Sequence, residues 1–280
     1  MIIFQHATDL QRHLNSRKKE GKSVGFVPTM GALHVGHMSL IERAQASTDI
    51  TVASIFVNPT QFNEKSDLNK YPRPIEADIE MLHHQGVDVL YHPGVTDIYP
   101  SNAEPEFEID LGYLNEIMEG AFRPGHFKGV AQVVDILLNR VQPDQLFMGQ
   151  KDYQQIAVVR EMIKQKGHQT QLVMCPIIRE PNGLAMSSRN RRLPPGIRSQ
   201  ANLLYHTLLY AKSMKQIFHI ADLEKRCFER LNKPHFRPEY FNIVDGLTLK
   251  EVRTWREAPT VVACTAVWAG DVRLIDNMVL

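Results

Sequence analysis

With 280 residues the chain is long enough for one large or two moderate domains, at roughly 100–200 residues each, and its 43% hydrophobic and 22% charged side chains are those of a globular protein. The 32 Lys and Arg against 31 Asp and Glu leave a formal charge of +1, without the basic excess that nucleic-acid binding calls for. No apolar run approaches the ~18–20 residues of a membrane span, and Met1–Leu10 has no basic leader followed by an apolar stretch, so a cytoplasmic protein is expected. Three widely separated cysteines, Cys175, Cys227 and Cys264, show no C-x-x-C pairing, which argues for reduced core thiols and against a structural zinc.

In chain order, strand-like runs at Val24–Val27, Thr51–Val57, Val87–Tyr91, Leu146–Met148 and Leu172–Cys175 alternate with helix-like runs at Thr8–Glu20, His37–Ala46, Glu76–Gln85, Val130–Arg140 and Tyr153–Gln165. That alternation predicts right-handed βαβ units and an α/β fold with a Rossmann-like parallel sheet in the N-terminal domain. The G-x-G-x-x-G fingerprint of dinucleotide sites is missing, which points to a mononucleotide held by other means. After Arg192 the texture changes: Leu193-Pro194-Pro195-Gly196 breaks the chain, Ile197–Ile217 reads as one helix and Val261–Trp268 as a buried strand. The stretch between, with Pro234, His235 and Pro238, reads as turns around a short Tyr240–Val244 strand, giving a smaller α+β C-terminal domain.

Four segments carry chemistry. Thr29-Met30-Gly31-Ala32-Leu33-His34-Val35-Gly36-His37 joins a strand to a helix start, where unpaired N–H groups and the positive end of the helix dipole suit phosphate; two histidines three apart add donors, although an isolated H-x-G-H is also an ordinary polar turn. Strand Ser54–Val57 runs into Asn58-Pro59, and strand ends of this kind collect ligands, so Asn58 and Gln61 are placed to hydrogen-bond one; a plain capping turn is the alternative. In Gly149-Gln150-Lys151-Asp152 the glycine permits close backbone approach and Lys151 offers a point charge, with Gln155 one turn further on the same helical face. Ser187-Ser188-Arg189 sets two hydroxyls beside a guanidinium, a grip for phosphate oxygens or else an exposed basic loop continued by Arg191 and Arg192.

Together with Tyr71-Pro72-Arg73, Arg123-Pro124-Gly125-His126-Phe127 and the tail Arg273-Leu274-Ile275-Asp276-Asn277, these segments in this order resemble the pantoate–β-alanine ligases of the H-x-G-H nucleotidylyltransferase superfamily over nearly the full length. The resemblance implies a first domain of residues 1–176 that binds nucleotide and pantoate, and a second of 177–280 that closes over the site. It implies ATP-dependent ligation of (R)-pantoate and β-alanine to pantothenate through pantoyl adenylate, with AMP and pyrophosphate released. His37, His34 and Lys151 correspond to catalytic positions, His37 to the family's proton-donor histidine. Met30, Gly31, Ala32, Leu33, His34, Val35, Gly36, His37, Gly149, Gln150, Lys151, Asp152, Ile178, Met186, Ser187, Ser188 and Arg189 correspond to ATP contacts. Gln61 and Gln155 correspond to pantoate ligands. Mg²⁺ is expected with ATP; Asp78 is the acidic candidate for it, beside Ala77 where some relatives carry a second acid, and an ion held chiefly by the nucleotide is the alternative. Gln150 stands where the family commonly has glutamate. A homodimer and no membrane partner are further implications of the resemblance. His83 and His84 read as surface helix residues, and His126 as a loop-ordering residue near the site. Two other readings stay open at this point: a related transferase with a different acceptor, and a nucleotide-binding protein without turnover.

Overall fold

The computed structural model describes residues 1–62, 65–100 and 107–280, which fall into two compact units. The first comprises Met1–Gly149 and Val158–Cys175, the second Gln150–Ala157 and Pro176–Leu280.

The first unit carries β1 (Ile2–Phe4), α1 (Ala7–Lys19), β2 (Val24–Thr29), α2 (Val35–Gln45), β3 (Ile50–Ile55), α3 (Lys65–Lys70), α4 (Ile75–His84), β4 (Val89–Tyr91), α5 (Val95–Ile98), α6 (Met118–Phe122), α7 (His126–Val141) and β5 (Gln145–Gly149). Helix α8 (Tyr153–Lys166) contributes its later turns, and β6 (Gln171–Cys175) closes the unit. The six strands form one sheet in the order β1-β4-β3-β2-β5-β6, every pair parallel. Because a parallel sheet is covered on both faces, its central strands are buried and mostly apolar: all six residues of β3 are buried, as are Val24, Phe26 and Val27 of β2. One core gathers Val27, Leu33, Ile41, Ala53, Leu82 and Phe147. Loss of a side chain such as Phe147, fully enclosed, would cost about 3–5 kcal/mol by the usual large-to-small penalty.

Strand order decides where a ligand belongs. From β2 the chain winds outward to β3 and β4, then returns to the other side of β2 as β5 and β6. The winding therefore reverses between β2 and β5, and the crevice outside the carboxyl ends of those strands is the favoured ligand position in an open α/β sheet.

In the second unit α9 (Pro195–Gln200), α10 (Leu203–Met214) and α11 (Ile220–Leu231) accompany an antiparallel sheet of β7 (Phe236–Asp245), β8 (Val261–Ala269) and β9 (Val272–Val279) in the order β7-β8-β9, with a register shift between Pro238 and Tyr240. Its core joins Leu204 and Leu208 of α10, Leu223 and Cys227 of α11, and Ile243, Ala263, Val267 and Leu274 of the strands. The α/β reading of the first unit and the smaller α+β reading of the second both hold.

Several local expectations need correction. The single helix expected over Ile197–Ile217 is two helices, because the amides of Ala201 and Leu204 bond carbonyls three residues back and interrupt the four-residue ladder. The turns expected before Tyr240 contain a full helix, α11, whose buried Ile220, Leu223, Cys227 and Leu231 make one stripe at spacings of three and four. Strand β7 begins earlier than expected, and β9 covers the tail that had been noted only for its residue order. Helix α2 starts at Val35 rather than His37, since His34 is its cap. The Met186–Asn190 loop ends in a short 3₁₀ turn, Ser188–Arg192.

Candidate active site

In the first unit the H-x-G-H segment is built by backbone geometry and one buried carboxylate. The Thr29 hydroxyl at the end of β2 donates to the Ser54 carbonyl (2.7 Å) and accepts from the Gly31 amide (3.1 Å), which turns the chain sharply off the sheet. Gly31 (φ +77°) and Ala32 (φ +50°) both occupy the left-handed region. A Cβ on Gly31 would stand 2.9 Å from Asp78 Oδ2, so glycine is required there on two counts. Asp78, 2% exposed in the first turn of α4, accepts from the amides of Ala32 (2.7 Å to Oδ2) and Leu33 (2.8 Å to Oδ1) and so holds the loop at its strained residue. Both of its oxygens are engaged, and a magnesium ion would have to share them. Among the described residues no group of three or more His, Cys, Asp and Glu side chains is placed to hold a metal.

The loop ends in a reciprocal cap. The Gly36 amide donates to His34 Nδ1 (3.1 Å) and the His34 amide to His37 Nδ1 (3.3 Å), with the two rings 4.0 Å apart at their centroids. An imidazole whose Nδ1 accepts carries its proton, when neutral, on Nε2, so the backbone fixes both rings as Nε2–H donors at the positive end of α2. This segment follows β2 directly, at the sheet's reversal point.

Next to it in sequence order comes the turn Pro59–Gln61, capped by Asn58. Gln61 and Asn58 are buried. The Asn58 amide donates to Gln61 Oε1 (3.2 Å) and to the Gly129 carbonyl (3.1 Å), and Gln61 Nε2 approaches Met30 Sδ at 2.9 Å. Gly129 of α7 lies so close that a Cβ there would sit 2.6 Å from the Thr60 carbonyl oxygen. His126, 5% exposed, also braces this turn: Arg123 can only donate to its Nε2 (3.1 Å), so its Nδ1–H donates to the Gln61 carbonyl (2.8 Å). Its place is behind Gln61, in keeping with the loop-ordering expectation.

The remaining candidates belong to the second unit, apart from Gly149, which ends β5. Gln150–Asp152 form a 3₁₀ turn whose carbonyls at Gln150 and Lys151 each accept from Asn277 Nδ2 at 2.9 Å, while Gln150 Nε2 donates to Asn277 Oδ1 (3.1 Å). Tyr153 adds a hydrogen bond to the Gly246 carbonyl (2.8 Å). These bonds tie the start of Gln150–Ala157 to the second unit. Lys151 stands 3.6 Å from Asp152 and is mostly buried along its stem, and Gln155 is half-buried one turn on.

Ile178 and Met186 face each other across a tight hairpin, Met186 N donating to the Ile178 carbonyl (2.9 Å). Ser187 then caps the following turn by accepting from the Arg189 amide (3.3 Å). Under this hairpin Arg179 grips Asp276 with both arms (2.6 and 2.9 Å) and stacks 4.1 Å from the Tyr205 ring. Burial acts to raise the Asp276 carboxyl, and the Arg179 fork and the Asn277 amide oppose it. Arg179 was not singled out from the sequence, and Asp276 and Asn277 were noted only as part of the tail that resembles the family's ending. The available signal was the polar Asp-Asn pair between Ile275 and Met278 in β9.

The parallel sheet, with imidazole donors at its reversal point, places the first unit in the α/β class. The pantoate-beta-alanine ligase family model matches residues 2–279, and the chain belongs to that family. It is accordingly a ligase that forms a carbon–nitrogen bond. Among curated relatives, pantothenate synthetase of Bacteroides thetaiotaomicron is 45% identical over 279 residues, covering 99% of this chain and 98% of its own. Pantothenate synthetase of Porphyromonas gingivalis is 46% identical over 280 residues, with 99% of each covered. Of solved structures, pantothenate synthetase from Thermus thermophilus superposes with a TM-score of 0.92 at 40% identity over 99% of each chain. The pantoate-beta-alanine ligase of Francisella tularensis, complexed with beta-gamma ATP and beta-alanine, gives 0.81 at 35% identity, over 100% of this chain and 97% of that one.

Proposed function

We propose that this enzyme makes pantothenate from pantoate, β-alanine and ATP in two steps through pantoyl adenylate. A pantoate carboxylate oxygen attacks the α-phosphorus of ATP as the bond to the departing pyrophosphate breaks. The neutral amine of β-alanine then attacks the acyl carbon, AMP leaves with the former carboxylate oxygen, and the nitrogen sheds a proton as the amide forms. The observation that carries this reading is the pair of backbone-fixed Nε2–H tautomers of His34 and His37 at the start of α2, where the helix dipole favours an anion.

Their work is to meet charge as it grows on the phosphates, with His37 giving a proton or hydrogen bond to the departing oxygens. Met30–His37 and Gly149–Asp152, with Ile178 and Met186–Arg189, would contact ATP, Lys151 and Arg189 neutralising the triphosphate and Ser187 and Ser188 donating to it. Gln61 and Gln155 would hold pantoate, as neutral amides that add no repulsion to its carboxylate. Mg²⁺ would enter with the nucleotide, neutralising phosphate charge and bound chiefly by phosphate oxygens and water. The beta-gamma ATP and beta-alanine carried by the Francisella ligase support two of the three substrates. We place the enzyme in the cytoplasm as a homodimer; the three cysteines are free and buried, and no helix among the described residues is long and apolar enough to cross a membrane. Light scattering at micromolar concentration that gives only the monomer mass would remove the dimer.

The test is pyrophosphate release with ATP, Mg²⁺ and pantoate, run with and without β-alanine, with the products weighed by mass spectrometry. Multi-turnover release only when β-alanine is present, with pantothenate and AMP formed, supports the reading. Folded protein that releases no pyrophosphate on adding pantoate refutes it and points to another acceptor.

A further inference from the structure

The hydrogen bonds around Gln61 settle which end of its side-chain amide faces outward. Two backbone groups with fixed roles orient Asn58 first. The Gly129 carbonyl can only accept, so the Asn58 atom 3.1 Å away is Nδ2; the Thr60 amide can only donate, so the atom on its side is Oδ1. The hydroxyls of Tyr99 (2.8 Å) and Thr60 (3.1 Å) donate to that same Oδ1. The second N–H of Asn58 then points at Gln61 from 3.2 Å and requires an acceptor there, which is Oε1. Gln61 Nε2 is left on the opposite side, where it meets Met30 Sδ. A thioether is a weak acceptor, and a carboxylate or hydroxyl oxygen is a better one for the same N–H.

We propose that Tyr99 and Asn58 are positioning residues that hold the Gln61 amide with its N–H groups toward the ligand, so that Gln61 recognises substrate only as a donor to an oxygen acceptor. This rests on the reading of Gln61 as a pantoate contact. Asn58 is 1% exposed and Tyr99 half-buried, and burial pushes the Tyr99 phenol up, so its hydroxyl stays a donor at any working pH. The chain of roles runs in one direction, from the Tyr99 hydroxyl through the Asn58 amide to the Gln61 amide. Replacing any member by an acceptor would turn the last one round.

The experiment is a double-mutant cycle on steady-state kinetics, with folding checked by thermal melting. Tyr99→Phe should lower kcat/KM for pantoate about fivefold, the worth of one ordinary hydrogen bond, and leave KM for ATP within about twofold. Asn58→Asp, which sets oxygen against both the Gly129 carbonyl and Gln61 Oε1, should lower it by about 10- to 100-fold, in the range of a lost hydrogen bond to a charged group. In a Gln61→Ala background Tyr99→Phe should cost nothing further beyond about a factor of two, and Asn58→Asp should lose most of its effect, keeping only what its clash with the Gly129 carbonyl causes. Equal losses in the two backgrounds, or unchanged pantoate kinetics in folded Tyr99→Phe, would overturn the proposal. If Asn58→Asp fails to fold, Thr60→Val removes the other hydroxyl from Asn58 Oδ1 and should reproduce the Tyr99→Phe pattern. Wild-type enzyme without pantoate-dependent turnover would overturn the substrate reading itself, and this inference with it.

Discussion

The two sets of candidate residues, one in each unit, are assembled in opposite ways. In the first unit the chemistry-bearing residues stand on a loop and a turn fixed by buried side chains: Asp78 holds Ala32 and Leu33, and Asn58 and His126 hold Gln61. In the second unit the charged residues themselves, Lys151 and Arg189, are partly buried, and order comes from polar groups bonded to the backbone beneath them, above all Asn277. Neutral donors must be aimed, since a hydrogen bond fails within tens of degrees, whereas a cation acts over several ångströms and tolerates movement. The first set accordingly carries the imidazoles, and the second carries the cations Lys151 and Arg189.

Breaking the aimed half should do the most damage. His37→Ala is expected to slow pyrophosphate release by about 10²–10⁴-fold, the usual worth of a positioned acid. The same variant should melt only slightly earlier, because it also loses the cap from the His34 amide, worth about 1 kcal/mol. A folded His37→Ala enzyme with near-normal rates would remove the residue from the mechanism.

Asp78→Asn comes next. An amide can accept from only one of the two backbone N–H groups and turns its own NH₂ toward the other, which should cost about 1–3 kcal/mol of stability. It should raise KM for ATP while leaving the Mg²⁺ concentration needed for half-activation unchanged; a large rise in that concentration would identify Asp78 as a metal ligand instead.

In the second half a milder outcome is expected. Asn277→Ala frees the carbonyls of Gln150 and Lys151, and kcat should fall several-fold through a mispointed Lys151, with stability lowered by about 1–3 kcal/mol. Kinetics unaltered in a destabilised protein would show that Lys151 needs no such aim. The smallest expected effect concerns the thiols. Burial raises Cys175 and pushes Cys227 up to about 12, so neither should react with an alkylating reagent at pH 7.5 until the protein unfolds. Labelling of native protein at either position, read by mass spectrometry, would show local opening.

Long periodic elements were legible because their signal is local. The apolar runs of β2, β3 and β5 and the stripes of α2 and α7 need only a window of a dozen residues to be seen. Helix α11 had the same signal and was hidden by Pro234 and Pro238 just beyond it. β1, three residues long, has too few positions for any period to register.

The sequence by itself determined the residue types the chemistry needs and their order along the chain: H-x-G-H, Asn58 with Gln61, Lys151, and Ser187-Ser188-Arg189. Only the tertiary structure decided what each of them touches. Asp78 faces Ala32 and Leu33 across 46 and 45 residues, and Asn277 reaches Gln150 and Lys151 across 127 and 126. Which nitrogen of His126 bears the proton, and which end of Gln61 faces a ligand, depends on carbonyls and amides from distant elements. The physical reason is that hydrogen-bond polarity belongs to pairs of groups, and these partners are brought together only when the sheet and helices pack.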